Sequence, residues 1–285
     1  MRQIVVISGK GGTGKTTVTA SFAALAEQPV LADCDVDAAN LYLLLHPTGG
    51  YEEEFAGAKI AVRDSARCTA CGECERRCRF EAITVTAINE AACEGCGLCV
   101  LACPARALKL ETVVNGALRV GQTAYGPLVH ARLRPAAENS GRLVTRVRQE
   151  AETIALRDGS DLILLDGPPG IGCTVTASLV DTDLAVVVTE PSLSGQHDME
   201  RVVQLASVLR VPVALIINKA DINQDITQQL REYCWRQNIP LLAELPFDEV
   251  VMQANARQRP LVEVDSGPVA QGLRHAWAGL VARGA

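Results

Sequence analysis

Gly9-Lys10-Gly11-Gly12-Thr13-Gly14-Lys15-Thr16 constrains the fold of this chain more than any other stretch. It fits G-x-x-x-x-G-K-S/T, a loop whose backbone cradles phosphates, and it follows the apolar run Ile4-Val5-Val6-Ile7, which reads as a buried strand. Glycines let the backbone N–H groups turn inward, and a helix opening at Lys15 aims the positive end of its dipole at the same place. Lys15 is expected to reach the β and γ phosphates and Thr16 to ligate Mg²⁺, with Thr13 and Thr17 completing the loop. Strand, phosphate loop and helix in that order predict a doubly wound, mostly parallel α/β sheet with ligand at the carboxyl ends of its strands.

Two acidic strand ends fit that geometry. Pro29-Val30-Leu31-Ala32 reads as a second strand, followed by Asp33-Cys34-Asp35-Val36-Asp37; Asp161-Leu162-Ile163-Leu164-Leu165 reads as another, ending in Asp166 before Gly167-Pro168-Pro169-Gly170. Carboxylates there are placed to hold Mg²⁺ or its water, and a glycine-bracketed loop can move when the γ phosphate leaves. Further strands are expected at 184–189, 213–217 and 241–245. The second of these runs into Asn218-Lys219-Ala220-Asp221, which in GTPases reads guanine, and the third into Pro246-Phe247-Asp248.

The second lysine in Gly9-Lys10-Gly11-Gly12-Thr13-Gly14-Lys15-Thr16-Thr17 resembles the deviant phosphate loop of the MinD/ParA family. The resemblance implies that Lys10 crosses to the nucleotide of a partner subunit, so that two chains close around two ATP molecules as a homodimer or a heterodimer with a related ATPase. It implies that Asp35 orients or activates the attacking water, leaving Asp33 and Asp37 open. It also implies that Asn218 contacts adenine while Pro246, Phe247 and Asp248 form another wall, which selects ATP over GTP.

Residues 64–112 interrupt the α/β pattern. Cys68-x₂-Cys71-x₂-Cys74-x₃-Cys78 is followed, 25 residues on at each position, by Cys93-x₂-Cys96-x₂-Cys99-x₃-Cys103-Pro104, and the same offset relates Gly72 to Gly97 and Ala82 to Ala107. Three thiolates two residues apart can converge on one iron–sulfur cube, while the fourth ligates the opposite cube. That groups Cys68, Cys71, Cys74 with Cys103, and Cys93, Cys96, Cys99 with Cys78. The pattern resembles the bacterial two-cluster ferredoxins; zinc is the competing occupant, and the third and fourth cysteines of each run suit two 4Fe–4S cubes better than tetrahedral zinc. Arg79 stands where the first run would usually carry proline.

The whole chain has 285 residues and eleven cysteines. A formal charge of −6 with no lysine-rich block argues against nucleic acid as a partner. The N-terminus runs straight into the first strand, and no apolar stretch approaches a membrane span, which makes a cytoplasmic protein the expectation. Thiols stay reduced there, so metal binding accounts for the cysteines better than disulfides. Cys34 and Cys234 read as packing residues. Cys173 stands where the nitrogenase iron protein of the resembled family holds a cluster between subunits, but residues 104–172 contain no second cysteine to match it. An apolar stripe at helical spacing (Leu143, Val144, Val147, Ala151, Ile154, Ala155) predicts a core helix, with Asn139-Ser140-Gly141 as its cap. The last helix, with Val269, Leu273, Trp277, Leu280 and Val281 on one side and Arg274, His275 and Arg283 elsewhere, is expected to dock on the sheet, not on a membrane.

The expectation is an ATPase domain over 1–63 and 113–285 with an inserted α+β ferredoxin domain over 64–112, coupling ATP-driven closure to electron transfer with a redox partner protein. A cluster carrier or assembly ATPase, and a redox-sensing spatial regulator, are the alternatives.

Overall fold

The computed structural model describes residues 1–134 and 140–282; Asn139 of the expected cap, and Arg283, lie outside the described residues. Its strands are β1 (Arg2–Ser8), β2 (Val30–Asp33), β3 (Thr48–Phe55), β4 (Ala58–Arg63), β5 (Leu108–Val113), β6 (Gly116–Gln122), β7 (Pro127–Leu133), β8 (Leu162–Pro169), β9 (Leu184–Thr189), β10 (Val213–Asn218) and β11 (Leu241–Leu245). Nine of them form one sheet in the order β11-β10-β9-β1-β8-β2-β7-β6-β3. From β11 to β7 every pairing is parallel, whereas β6 pairs antiparallel with both β7 and β3.

The period of two along β1 divides its side chains between two cores. Val5 and Ile7 pack with Leu143, Val147 and Ile154 of the helix Ser140–Asp158 and with the helices Cys173–Leu179, Leu193–Val208 and Gln224–Arg236. Ile4 and Val6 face Val18 and Phe22 of the helix Lys15–Leu25 and Leu273 and Leu280 of the helix Pro268–Ala282. Burial on both faces is why the central strands read as unbroken apolar runs. The C-terminal helix is docked as expected: Trp277 lies 5.2 Å from the Phe22 ring, and Arg2 donates to the Leu280 carbonyl at 3.1 Å. Among the described residues, no helix is long and apolar enough to cross a membrane.

Two details differ from the sequence expectations. β8 continues through Pro169, so Asp166 lies inside the strand, opposite Val6 and Asp33. The expected junction between residues 63 and 64 falls at the end of β4, which pairs antiparallel with β5 as a separate two-stranded sheet. The two ends of the cysteine-rich stretch are thus drawn together by a backbone ladder that composition does not signal.

Candidate functional site

The phosphate loop connects β1 to the helix Lys15–Leu25 at the middle of the sheet. Gly14 precedes that helix with φ 95°, a conformation open to glycine, and a side chain there would press to 2.6 Å of Asn218 Nδ2. A side chain at Gly9 would run into the backbone of Asp198. No side chain caps the helix Lys15–Leu25, whereas Ser192 and Asn223 cap the helices that follow them, accepting from Gly195 N and Ile226 N at 3.0 and 3.1 Å. Its first N–H groups, at the positive end of the helix dipole, are placed to meet an anion. The Thr13 hydroxyl is buried beside them with no hydrogen-bond partner among the described residues. A site lined by donors and an unmatched hydroxyl suits an oxygen-rich anion.

Behind the loop three carboxylates gather. Asp166 Oδ1 accepts from Thr19 Oγ1 at 2.9 Å, with Thr16 a second hydroxyl donor to its carboxylate. Asp33 accepts from the backbone N–H groups of Asp35, Asn40 and Leu41 at 3.0–3.1 Å, which folds the segment after β2 back on itself. Asp35 Oδ2 lies 3.9 Å from Lys15 Nζ. Burial, with Asp166 alongside, raises Asp33 above the ordinary carboxylate range; burial raises Asp166 too, against the pull of Lys15 and its two hydroxyl donors. Burial also raises Asp35, opposed by Lys15. Buried acids held beside one another and a single lysine fit a site that gains a cation and a polyphosphate. Asp37 is exposed, and its charge adds to the rise of Asp35.

Lys10 is folded onto its own chain. Its ammonium lies 2.5 Å from Glu190 Oε1 and 3.2 and 3.3 Å from the hydroxyls of Ser192 and Ser194, while Lys219 takes the other Glu190 oxygen at 3.1 Å. Burial would raise Glu190, yet the two lysines bring it below the ordinary carboxylate range. Both Asn218 amide atoms are engaged internally, Nδ2 donating to the Thr13 carbonyl at 2.8 Å and Oδ1 accepting from Lys219 N at 3.0 Å. In this form Asn218 buttresses the phosphate loop. In the following segment Asp221 Oδ1 accepts from Phe247 N at 2.6 Å, Asp248 Oδ1 accepts from Val250 N at 2.9 Å, and the Phe247 side chain is exposed. Thr17 sits one turn into the helix at 3.5 Å from Asn255, beneath the loop.

In the lobe, the sequence repeat is also a repeat of backbone shape. Ala70 and Gly95, Gly72 and Gly97, and Glu81 and Arg106, each pair 25 residues apart, all have positive φ. The short helices Glu73–Arg77 and Leu98–Ala102 keep the same offset. Two cavities result. One is lined by Cys68, Cys71, Cys74 and Cys103, the other by Cys78, Cys93, Cys96 and Cys99. Backbone N–H groups point at two of the sulfurs, Ala61 N at Cys93 Sγ (3.4 Å) and Ala107 N at Cys103 Sγ (3.3 Å). Among the described residues, no three His, Cys, Asp or Glu side chains converge tightly enough for a single metal ion. Cys34 and Cys234 are buried and Cys173 is exposed at the start of its helix.

Sequence reading missed Glu190, Thr19 and the seryl pair. Glu190 follows the carboxyl end of β9 as Asp166 ends the apolar part of β8, a signal available in the sequence; Thr19 had none, because a threonine one turn into a helix reads as packing.

The model of the CobQ/CobB/MinD/ParA nucleotide binding domain matches residues 4–261. An uncharacterized protein of Methanocaldococcus jannaschii is 32% identical over 225 residues, 78% of this chain and 79% of that one. The septum site-determining protein MinD of Synechocystis is 28% identical over 272 residues, 92% and 82% of the two chains. MinD of Pyrococcus horikoshii, solved with Mg-ADP, superposes with a TM-score of 0.57 at 20% identity, covering 98% of this chain and 95% of that one. Phosphate loop, parallel sheet and matched span agree: this chain belongs to the CobQ/CobB/MinD/ParA nucleotide-binding family.

Proposed function

We propose that this chain is a Mg²⁺-dependent ATPase in which nucleotide-driven dimer closure is coupled to electron transfer through two 4Fe–4S clusters. The observation that carries the redox half is the division of eight cysteines between two cavities, three from one run and the fourth from the other in each. The donor set fits: thiolates with amide hydrogen bonds to sulfur are the ordinary surroundings of such a cube. The thiolates of one zinc ion sit at about 2.3 Å from it, closer together than ligands spread over the corners of a cube. The third and fourth cysteines of each run suit two cubes better than tetrahedral zinc. Bound there, the clusters supply one-electron transfer to a partner protein.

The ATPase half rests on this chain's own groups. Lys15 and the N–H groups of the loop neutralise phosphate charge; Thr16 and Asp166 would hold Mg²⁺; Asp35, within reach of Lys15, positions the attacking water. Positioning and charge stabilisation suffice for phosphoryl transfer. The relative solved with Mg-ADP supports adenine nucleotide. Lys10 serves closure: released from Glu190, its ammonium is free to meet a second subunit's phosphates. Oxygen-free purification followed by iron, sulfide and nucleotide analysis tests the proposal. Two four-iron cubes per chain together with ATP turnover are expected, and a lobe that binds no iron overturns the redox half.

A further inference from the structure

The cysteine lobe hangs from the main sheet on two short crossings, residues 56–57 between β3 and β4 and residues 114–115 between β5 and β6. The crossings are tied to each other, since Gly57 N donates to Asn115 Oδ1 and Asn115 N to the Phe55 carbonyl, both at 2.9 Å. The Gly57 carbonyl is held from outside the lobe. Arg142 Nη1, in the first turn of the helix Ser140–Asp158, donates to it at 3.2 Å.

The same helix grips the segment that leads into the lobe and the helix Cys173–Leu179 that follows β8. On one side Arg146 binds Glu53 of β3 at 2.7 Å and Glu150 accepts from Tyr51. On the other, Gly141 runs so close to Cys173, the first residue of the helix after the loop 170–172, that a Cβ at 141 would lie 3.4 Å from it. Arg148 then donates to the carbonyls of Ala177, at 2.8 Å, and Val180 at the far end of that helix. Arg148 is 7% exposed. Its charge is held by those carbonyls and by Gln3 Oε1 at 2.8 Å, so the two helices cannot part without stranding a buried cation. The loop itself touches the phosphate loop's root, with Gly170 N donating to the Ser8 carbonyl at 2.9 Å.

We propose that the helix Ser140–Asp158 is a rigid bar joining the loop 170–172, after β8, to the hinge of the cysteine lobe, and that Arg142 is the positioning residue at its lobe end. Movement of the loop carries the helix Cys173–Leu179; Arg148 makes the bar follow; Arg142 transmits the shift to Gly57. Packed elements of this kind translate small displacements into the reorientation of a tethered unit. The inference rests on the reading that residues 170–172, at the end of β8, respond to the γ phosphate and that the lobe holds clusters.

Hydrogen exchange on the cluster-loaded protein, with Mg-ADP against a non-hydrolysable Mg-ATP analogue, tests it, alongside the electron paramagnetic resonance line shape of the reduced clusters. In the native protein, exchange in β4 and β5 is expected to differ between the two nucleotides. Arg142→Ala is expected to abolish that difference while iron content and nucleotide affinity stay as they were, and Arg142→Lys, whose ammonium still reaches the carbonyl, to restore part of it. A nucleotide-dependent difference that survives in Arg142→Ala, or is absent from the native protein with both ligands bound, overturns the inference and leaves the proposed function standing. A native protein that fails to bind nucleotide or iron overturns both.

Discussion

Lys15 is nearly enclosed, 7% exposed, and faces Asp35 across 3.9 Å. Removing it deprives the developing phosphate charge of its main cation, so Lys15→Ala should lower ATP turnover by about 10²-fold or more, the cost of losing one such donor elsewhere. Phosphate release and calorimetric nucleotide titration check this; unchanged turnover contradicts it. His130 on β7 gives a different kind of prediction. It is buried and stacked on Tyr42, with Arg119, Arg132 and Glu52 as its charged neighbours; burial first, then the two arginines, push it down to about 4. Because the folded value lies below the ordinary 6.5, the unfolded chain binds the extra proton first as pH falls. The stability that neutral His130 contributes is complete above about pH 6.5 and is lost as pH falls toward 4. Asp33 and Asp166, raised by burial, act with the opposite sign, so comparison with a variant isolates the histidine. Melting temperatures across that range should fall less steeply for His130→Gln than for the native protein, and parallel curves contradict the assignment.

Among elements, the cysteine lobe makes the sharpest forecast. If each cavity takes three cysteines from one run and one from the other, Cys74→Ser and Cys78→Ser damage different clusters, although they are four residues apart. Their residual paramagnetic spectra should differ, and Cys78→Ser should resemble Cys96→Ser. Identical spectra for Cys74→Ser and Cys78→Ser would mean that each run serves its own cluster. Elements of this chain were legible where burial on both faces left an unbroken apolar run, as at Leu184–Thr189 and Val213–Asn218. They were illegible where the chain is wet. β3 carries Glu52-Glu53-Glu54 and is exposed along almost its whole length, so its sequence reads as a loop; antiparallel pairing to β6 and the arginines 119 and 146 make it a strand. The lobe's sheet escaped notice for a related reason: β4 and β5 alternate weakly, and their pairing joins residues about fifty apart in sequence.

For the molecule as a whole, the phosphate loop and the cysteine spacing were readable because each is a local pattern with one chemical purpose. The connections between them were not, since Lys10 with Glu190, Arg142 with Gly57 and Asn218 with Thr13 are brought together by topology across 180, 85 and 205 residues. Under the proposed closure Glu190 sets a cost, because Lys10 would have to leave a short ion pair before serving a second subunit. Sedimentation with Mg²⁺ and a non-hydrolysable ATP analogue should show a dimer for the native chain and a monomer that still binds nucleotide for Lys10→Ala; a dimer in the variant removes Lys10 from closure. The central claim is that nucleotide and electrons are handled by one coupled machine. Its most direct test is the ATP hydrolysis rate of the cluster-loaded protein under anaerobic conditions, measured with the clusters oxidised and then reduced. Coupling predicts two different rates in the same preparation, and a single rate in both redox states, with iron and nucleotide fully bound, contradicts it.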